Sequence, residues 1–394
     1  MIPSTAFQHL KALSVQIGPR PSGSVGNKAA AAYIESVFRR CGLAVETQEF
    51  VCPAWEELGA WLCIDNAALP IAANTYSPSC LLSAQLAPVQ SLAELESASL
   101  AGKLVLLYGE LVRQPLPPKA WAFKDPAQAR AVELLEAQHP AGVITVHSHG
   151  DEVERLIEDA EFRVPSATVS AKVGAMLLGH AGQTVRLRID SRQGPGVTAN
   201  VVGRLSGASR QQIVICAHYD TKIDAPGAAD NASGVAVMLA MAEQLCRHEQ
   251  PYSIEFVAFT NEEYLPLGDD EYVRRRAQSF DQIVAALNFD AVGLRAGVNT
   301  VAGFHLPPVV QQDLERLAAT FPELIWVEPW PESNHTTFAS RSVPCLAFTA
   351  KVREPHYHLR SDTIDLIDRT RLDEMVVFGL RSVETVSALE RVMA

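Results

Sequence analysis

Two histidines and a set of carboxylates draw attention because of the order in which they fall. His218-Tyr219-Asp220, Asp230-Asn231-Ala232-Ser233-Gly234, Glu262-Glu263, Asn288-Phe289-Asp290 and Tyr357-His358 with Asp362 follow one another along the second half of the chain. Imidazole plus carboxylate is a donor set suited to zinc and similar divalent cations. Three such ligands hold one ion with an open position. Five, one of them a carboxylate using both oxygens, can hold two ions side by side. Ions of this kind lower the pKa of a water, and a neighbouring carboxylate can take its proton. The adjacent Glu262-Glu263 pair offers one ligand and one base. Asp220, two residues after His218, is placed to orient that imidazole from behind.

Four of the five clusters come with an apolar run, and the Asp230 cluster opens a helix. Gln212–Ala217 leads into His218, Ser253–Thr260 into Asn261-Glu262-Glu263, and Ile283–Phe289 into Asp290, while Val343–Thr349 precedes the loop holding His356, Tyr357 and His358. Helical patterns separate or close these runs at Ser233–Arg247 and Arg371–Val392. Continuous apolar strands alternating with helices predict an α/β layered domain with a buried, largely parallel sheet. Ligands of such sheets gather beyond the carboxyl ends of the strands, so four segments meet on one rim. Upstream, Ala29–Arg40 reads as an amphipathic helix closed by Gly42, and Leu43–Val51 as a strand. Between about 55 and 195 the pattern changes to short β-like pieces at Leu104–Tyr108, Gly142–Val146, Ala167–Val169 and Thr184–Ile189, with helices at Gln128–Gln138 and Ala171–Gly179. Residues 1–54 and 196–394 are therefore expected to form the chemistry-bearing domain, and 55–195 an inserted one. His147-Ser148-His149-Gly150-Asp151 lies in the insertion, away from the other ligands, and reads as a decoy; Glu152–Asp159 reads as a solvated helix face.

With five pieces in this order and spacing, the sequence resembles the co-catalytic two-zinc aminopeptidases of clan MH, of the bacterial and yeast aminopeptidase Y type with an inserted protease-associated domain. The resemblance is tight over 196–394. It is looser over 15–50, where it rests on Arg20-Pro21-Ser22-Gly23, and over 55–195, where it rests on Leu100–Leu106 and Val164–Ala167. It implies a three-layer zinc-peptidase (phosphorylase/hydrolase-like) domain with a mixed, largely parallel central sheet, plus a smaller α/β insertion. It also implies two zinc ions, with cobalt or manganese as alternatives. By the same resemblance Asp230 bridges the ions, Glu263 and His358 complete one site, and His218 and Asp290 complete the other. Glu262 would be the general base, Tyr357 a donor to the oxyanion, and Asp220 the support behind a ligand. Substrate contacts are expected from the loops holding Tyr264, Arg295 and His335. Two departures stand out: Tyr264-Leu265-Pro266 where relatives carry a Gly-Leu turn, and Asn334 where relatives often carry Asp. The implied activity is removal of N-terminal residues from peptides. Carboxypeptidase or dipeptidase action, glutaminyl cyclisation, and a silent binding module are the rivals. Arg295, Arg353 and Arg360 keep the carboxypeptidase option open because such enzymes grip a terminal carboxylate.

The 394-residue chain carries 33 Lys+Arg against 45 Asp+Glu, a net charge of −12, which argues against a nucleic-acid partner or an anionic membrane surface. The seven cysteines are odd in number and lack a CxxC pair, so they read mostly as buried thiols. The N-terminus has no basic segment followed by an unbroken apolar one, and no run approaches the ~20 apolar residues that span a bilayer. A cytoplasmic protein is the expectation, or a secreted one if a leader has been removed. Oligomeric state is not readable.

Overall fold

The computed structural model describes residues 5–65, 67–121, 124–148, 152–353 and 356–387. Contacts divide the chain into two compact units, Met1–Cys52 with Gly196–Ala394, and Pro53–Pro195.

In the first unit, four strands run parallel in the order Cys345–Lys351, Ile283–Phe289, Ser209–His218 and Tyr252–Phe259. Antiparallel neighbours flank them: Val298–Phe304 on one side, itself extended by Leu324–Trp326, and residues 201–205 on the other. Alternation along the central strand sorts its side chains to two faces. Ile213, Ile215 and Ala217 join a large apolar cluster with Ile34, Phe38, Leu239 and Phe378, from the helices Val25–Arg40, Gly234–Leu245 and Arg369–Val386. Val214 and Cys216 join a second cluster with Tyr272 and Phe338, from the helices Leu267–Arg276 and His335–Ala339. Helices thus cover both faces of a mixed sheet, which is the three-layer architecture expected. Helix Gly234–Leu245 is apolar around nearly its whole circumference and buried accordingly. Its N-terminus points to the rim where the four parallel strands end.

The second unit is also α/β. Cys80–Val89, Leu104–Leu107, Gly142–His147 and Ser166–Ser170 pair in parallel, with Ala72–Ala73 and the start of Thr184–Leu205 antiparallel at the edges. Helices Pro126–Ala137 and Ala171–Leu178 accompany them, and both begin at a side-chain cap, from Asp125 and Ser170. Residues 152–159 are not the helix their composition suggests. Tertiary bonds override the pattern: Arg155 Nε donates to the Ala73 carbonyl, the Leu156 amide donates to Thr168 Oγ1, and Ile157 bridges to Leu116. Of the His147–Asp151 decoy, His149 and Asp151 lie outside the described residues. No described helix is long and apolar enough to cross a membrane.

Candidate metal centre

The site is built where the parallel strands stop. His218 is the last residue of its strand and is 1% exposed. Asp230 follows a tight turn that begins at Gly227, where φ is +58°, and the Asp230–Asn231 peptide is cis. Glu262 and Glu263 leave the Tyr252–Phe259 strand through Asn261, which adopts φ +68°. Asp290 ends Ile283–Phe289, and His358 reaches the rim on a loop with φ +66°.

His218 Nε2 lies 3.2 Å from Asp230 Oδ1 and 3.4 Å from Asp290 Oδ1. His358 Nε2 lies 3.3 Å from Asp230 Oδ2 and 3.3 Å from Glu263 Oε2. The two oxygens of Asp230 therefore face two separate His-carboxylate groups. In each group the three candidate ligand atoms lie within 4.8 Å of one another. Six donors of this type, converging in two triads through one shared carboxylate, fit a pair of zinc-like cations. Glu262 stands beside them, with Oε2 3.9 Å from His218 Nε2.

The electrostatics match this crowding. Burial pushes the Glu262 carboxyl well up; His218 pulls it down, but Asp290, Glu263 and Asp230 add to the rise. Burial, then Asp230, raises Glu263. Burial alone would depress His218, yet Asp290 and Glu262 hold it well above the usual imidazole range. Asp230 is pulled down by its two histidines despite its burial.

The supporting bonds are specific. Asp220 accepts the backbone N–H groups of Glu262 and Glu263 at 3.3 and 3.4 Å, and its Oδ1 lies 3.7 Å from His218 Nδ1, a charge contact longer than a hydrogen bond. Asp362 is buried, and its oxygens accept the N–H groups of Ala229 and Asp230 at 2.7 and 3.0 Å. Asn231 joins the Asp230 turn to the Asp290 strand end: its Nδ2 donates to the Phe289 carbonyl, and its Oδ1 accepts from Gly234 and Ala291. Ser233 Oγ accepts from Val292. Asn231, Ser233, Asp362 and Arg20 all sit inside the sequence motifs, but residue type alone signals none of their bonds.

The residues expected to touch substrate fall differently. Tyr357 is half-buried, and its hydroxyl donates to the Ala350 carbonyl at 3.3 Å. Arg295 lines a small cavity of about 100 Å³ together with Tyr357, His356 and Leu366. Its guanidinium donates to the carbonyls of Asp365 and Ile367. Tyr264 does not reach outward. It is 2% exposed, its hydroxyl accepts the Ile223 N–H at 2.8 Å, and Lys222 Nζ sits 4.4 Å above its ring. Glu263 and Tyr264 both reach the 222–223 segment, Glu263 Oε1 accepting the Lys222 N–H and Tyr264 the Ile223 N–H, but only Glu263 also faces His358. His335 is also fully buried, between Phe304 and Trp330, with Nε2 bonded to the Trp330 carbonyl. Neither is placed to meet a substrate directly, which corrects the expectation for both.

Comparison with known proteins points the same way as this geometry. The profile of peptidase family M28 matches residues 200–379. The chain is 26% identical to aminopeptidase YwaD of Bacillus subtilis (strain 168) over 393 residues, covering 94% of this chain and 81% of that protein. It is 25% identical to a probable lipoprotein aminopeptidase, LpqL, of Mycobacterium tuberculosis, covering 90% and 78%. The solved structure of a zinc aminopeptidase from Bacillus subtilis superposes with a TM-score of 0.79 at 22% identity, covering 98% of this chain and 94% of that one. At that identity the likeness is one of fold.

Proposed function

We propose that the chain is a member of peptidase family M28, whose profile matches residues 200–379, and that it is a zinc-dependent aminopeptidase working with two ions. The observation that supports this best is the pair of His-carboxylate triads sharing Asp230, with the Glu262 carboxylate alongside. His218 and Asp290 would hold one ion, Glu263 and His358 the other, and Asp230 both. Bound zinc would supply Lewis acidity at the scissile carbonyl and a lowered pKa for the attacking water.

The chain's own groups do the rest. Glu262 takes the proton of the attacking water and passes it to the leaving amine; a carboxyl whose affinity for protons is raised by burial and by neighbouring acids suits that shuttle. Tyr357 turns its hydroxyl from the Ala350 carbonyl toward the developing oxyanion. Asp220 keeps the His218 ring and the Glu262-Glu263 peptides in register. Two of the three arginines that would serve a carboxypeptidase are committed elsewhere: Arg295 to two backbone carbonyls, and Arg360 to Asp224 at 2.9 Å. Peptides with a free N-terminus are the substrates this supports. We read Pro53–Pro195 as a protease-associated-like domain, on the strength of its own parallel sheet and compact contacts.

Glu262→Gln tests the mechanism. It should bind zinc as the wild type does and lose on the order of 10²–10⁴ in kcat. Near-normal turnover would remove Glu262 as the base. Dipeptides blocked at either end test the polarity of cleavage: hydrolysis of only the amine-blocked set would rule out an aminopeptidase.

A further inference from the structure

Arg20 lies some two hundred residues before the ligands, in the Arg20-Pro21-Ser22-Gly23 segment, yet it is 0% exposed. A charged side chain is almost never fully buried unless its donors are satisfied. Here the guanidinium spends its donors on five backbone carbonyls. Nε donates to Tyr219 at 2.8 Å and one terminal nitrogen to Gly227 at 2.9 Å. The other terminal nitrogen is shared among Leu13 at 3.1 Å, Gly18 at 2.8 Å and Pro226 at 2.8 Å. The Arg20 amide adds a bond to Thr221 Oγ1 at 2.9 Å.

The carbonyls it gathers are not scattered. Tyr219 follows His218 directly, and Pro226 and Gly227 open the turn that presents Asp230. One side chain therefore closes both ends of the loop joining the His218 strand to the Asp230 turn. From the opposite side, Asp362 holds the N–H groups of Ala229 and Asp230. Gly227 shows how closely the pieces fit: a Cβ there would lie 2.5 Å from the Asp230 carbonyl oxygen and 3.0 Å from an Arg20 nitrogen. Nearby Ser22 Oγ reaches Asp220 Oδ2 at 3.4 Å, so the same segment also touches the carboxylate behind His218.

We propose that Arg20 is a positioning residue of the metal centre, fixing the spacing of His218 and Asp230 by clamping the carbonyls of Tyr219, Pro226 and Gly227. The proposal rests on the two-metal reading above. Arg is suited to the task because its planar fork offers five N–H donors in fixed directions, whereas Lys offers three from a single point. Burial draws the guanidinium down to about 10, while Asp362, Asp220, Asp230 and Glu263 act to raise it, so it stays charged at neutral pH. Its charge alone would oppose a dication. Any gain in metal affinity must therefore come from geometry.

Arg20→Lys keeps the charge and loses the fork; Arg20→Met loses both. Zinc affinity of the metal-free proteins is measured by competition with a chelator, alongside circular dichroism and kinetics. Both variants should fold and bind zinc at least tenfold more weakly, and kcat at saturating zinc should fall with KM little changed. A folded variant with wild-type zinc affinity would overturn the proposal. Failure of both to fold would also overturn it, by making Arg20 a general stabiliser. Absence of zinc binding by the wild type would instead remove the metal reading on which this rests.

Discussion

Asn231 offers a sharp test of how the centre is assembled. Its side chain is fully buried, and its amide satisfies three backbone groups at once: the Phe289 carbonyl at 2.8 Å, the Gly234 N–H at 2.9 Å and the Ala291 N–H at 3.2 Å. Asn231→Ala leaves all three without that partner. A buried group stripped of its hydrogen bond costs about 1–3 kcal/mol, and part of this is recovered if water enters the vacated space. The loss should be about 3–5 kcal/mol for the unit. At roughly 2–4 °C per kcal/mol for a unit of this size, the melting temperature should fall by about 10 °C. Two of the bonds, to Phe289 and Ala291, also tie the Asp230 turn to the end of the Asp290 strand, so the His218-Asp230-Asp290 triad should loosen while Glu263 and His358 stay in place. Calorimetric titration of the metal-free variant should then show one zinc site weakened far more than the other. Melting of the metal-free proteins, followed by circular dichroism, isolates the stability part. A drop under ~2 °C with two undisturbed zinc sites would refute the reasoning.

Other outcomes follow from the same contacts. Burial raises Asp269 from its ordinary 3.8 to about 6, although Thr337 and Asn334 donate to it. The native state thus binds this proton more tightly than the unfolded chain, so stability falls as pH rises from about 4 to 6, by at most about 3 kcal/mol. Asp269→Asn should consequently melt higher than the wild type at pH 7, with little advantage at pH 4; an equal difference at both would contradict it. Asp290 and Glu262 hold a proton on metal-free His218 against the effect of burial, so zinc must displace it and affinity should fall as pH drops. Calorimetry in two buffers of different ionisation enthalpy should report proton release on binding, and none between pH 6 and 8 would count against the assignment. Tyr357→Phe should keep both ions and lose about 10²-fold or more in kcat if its hydroxyl meets the oxyanion; an unchanged kcat would leave Tyr357 as a packing residue.

Much of the scaffold could be read from the chain because buried parallel strands leave continuous apolar runs. Ile283–Phe289 starts and ends where its composition indicates, and Ser209–His218 and Tyr252–Phe259 differ from expectation by one to three residues at each end. The final helix begins two residues earlier than its pattern suggests, because the Asp368 side chain caps the N–H groups of Thr370 and Arg371. The candidate ligands stand out because most of them fall at or just after strand ends, where side chains turn onto the rim. The setting of Tyr264 does not, because adjacency to a ligand says nothing about what a side chain meets: its hydroxyl accepts the Ile223 N–H in the interior. The setting of His335 is hidden from the sequence for a related reason: its ring is enclosed by Phe304 and Trp330, and only the folded loop brings them together. Arg20 was legible as a motif but not as a clamp. Composition places arginine at the surface, and the carbonyls it binds belong to segments distant in sequence.

The central claim is that Asp230 stands between two metal ions. Crystals of the zinc-loaded protein, measured on either side of the zinc absorption edge, test it most directly. Two anomalous peaks should appear, one beside each carboxylate oxygen of Asp230, one near His218 and Asp290 and the other near Glu263 and His358. A single peak, or peaks away from Asp230, would contradict the account.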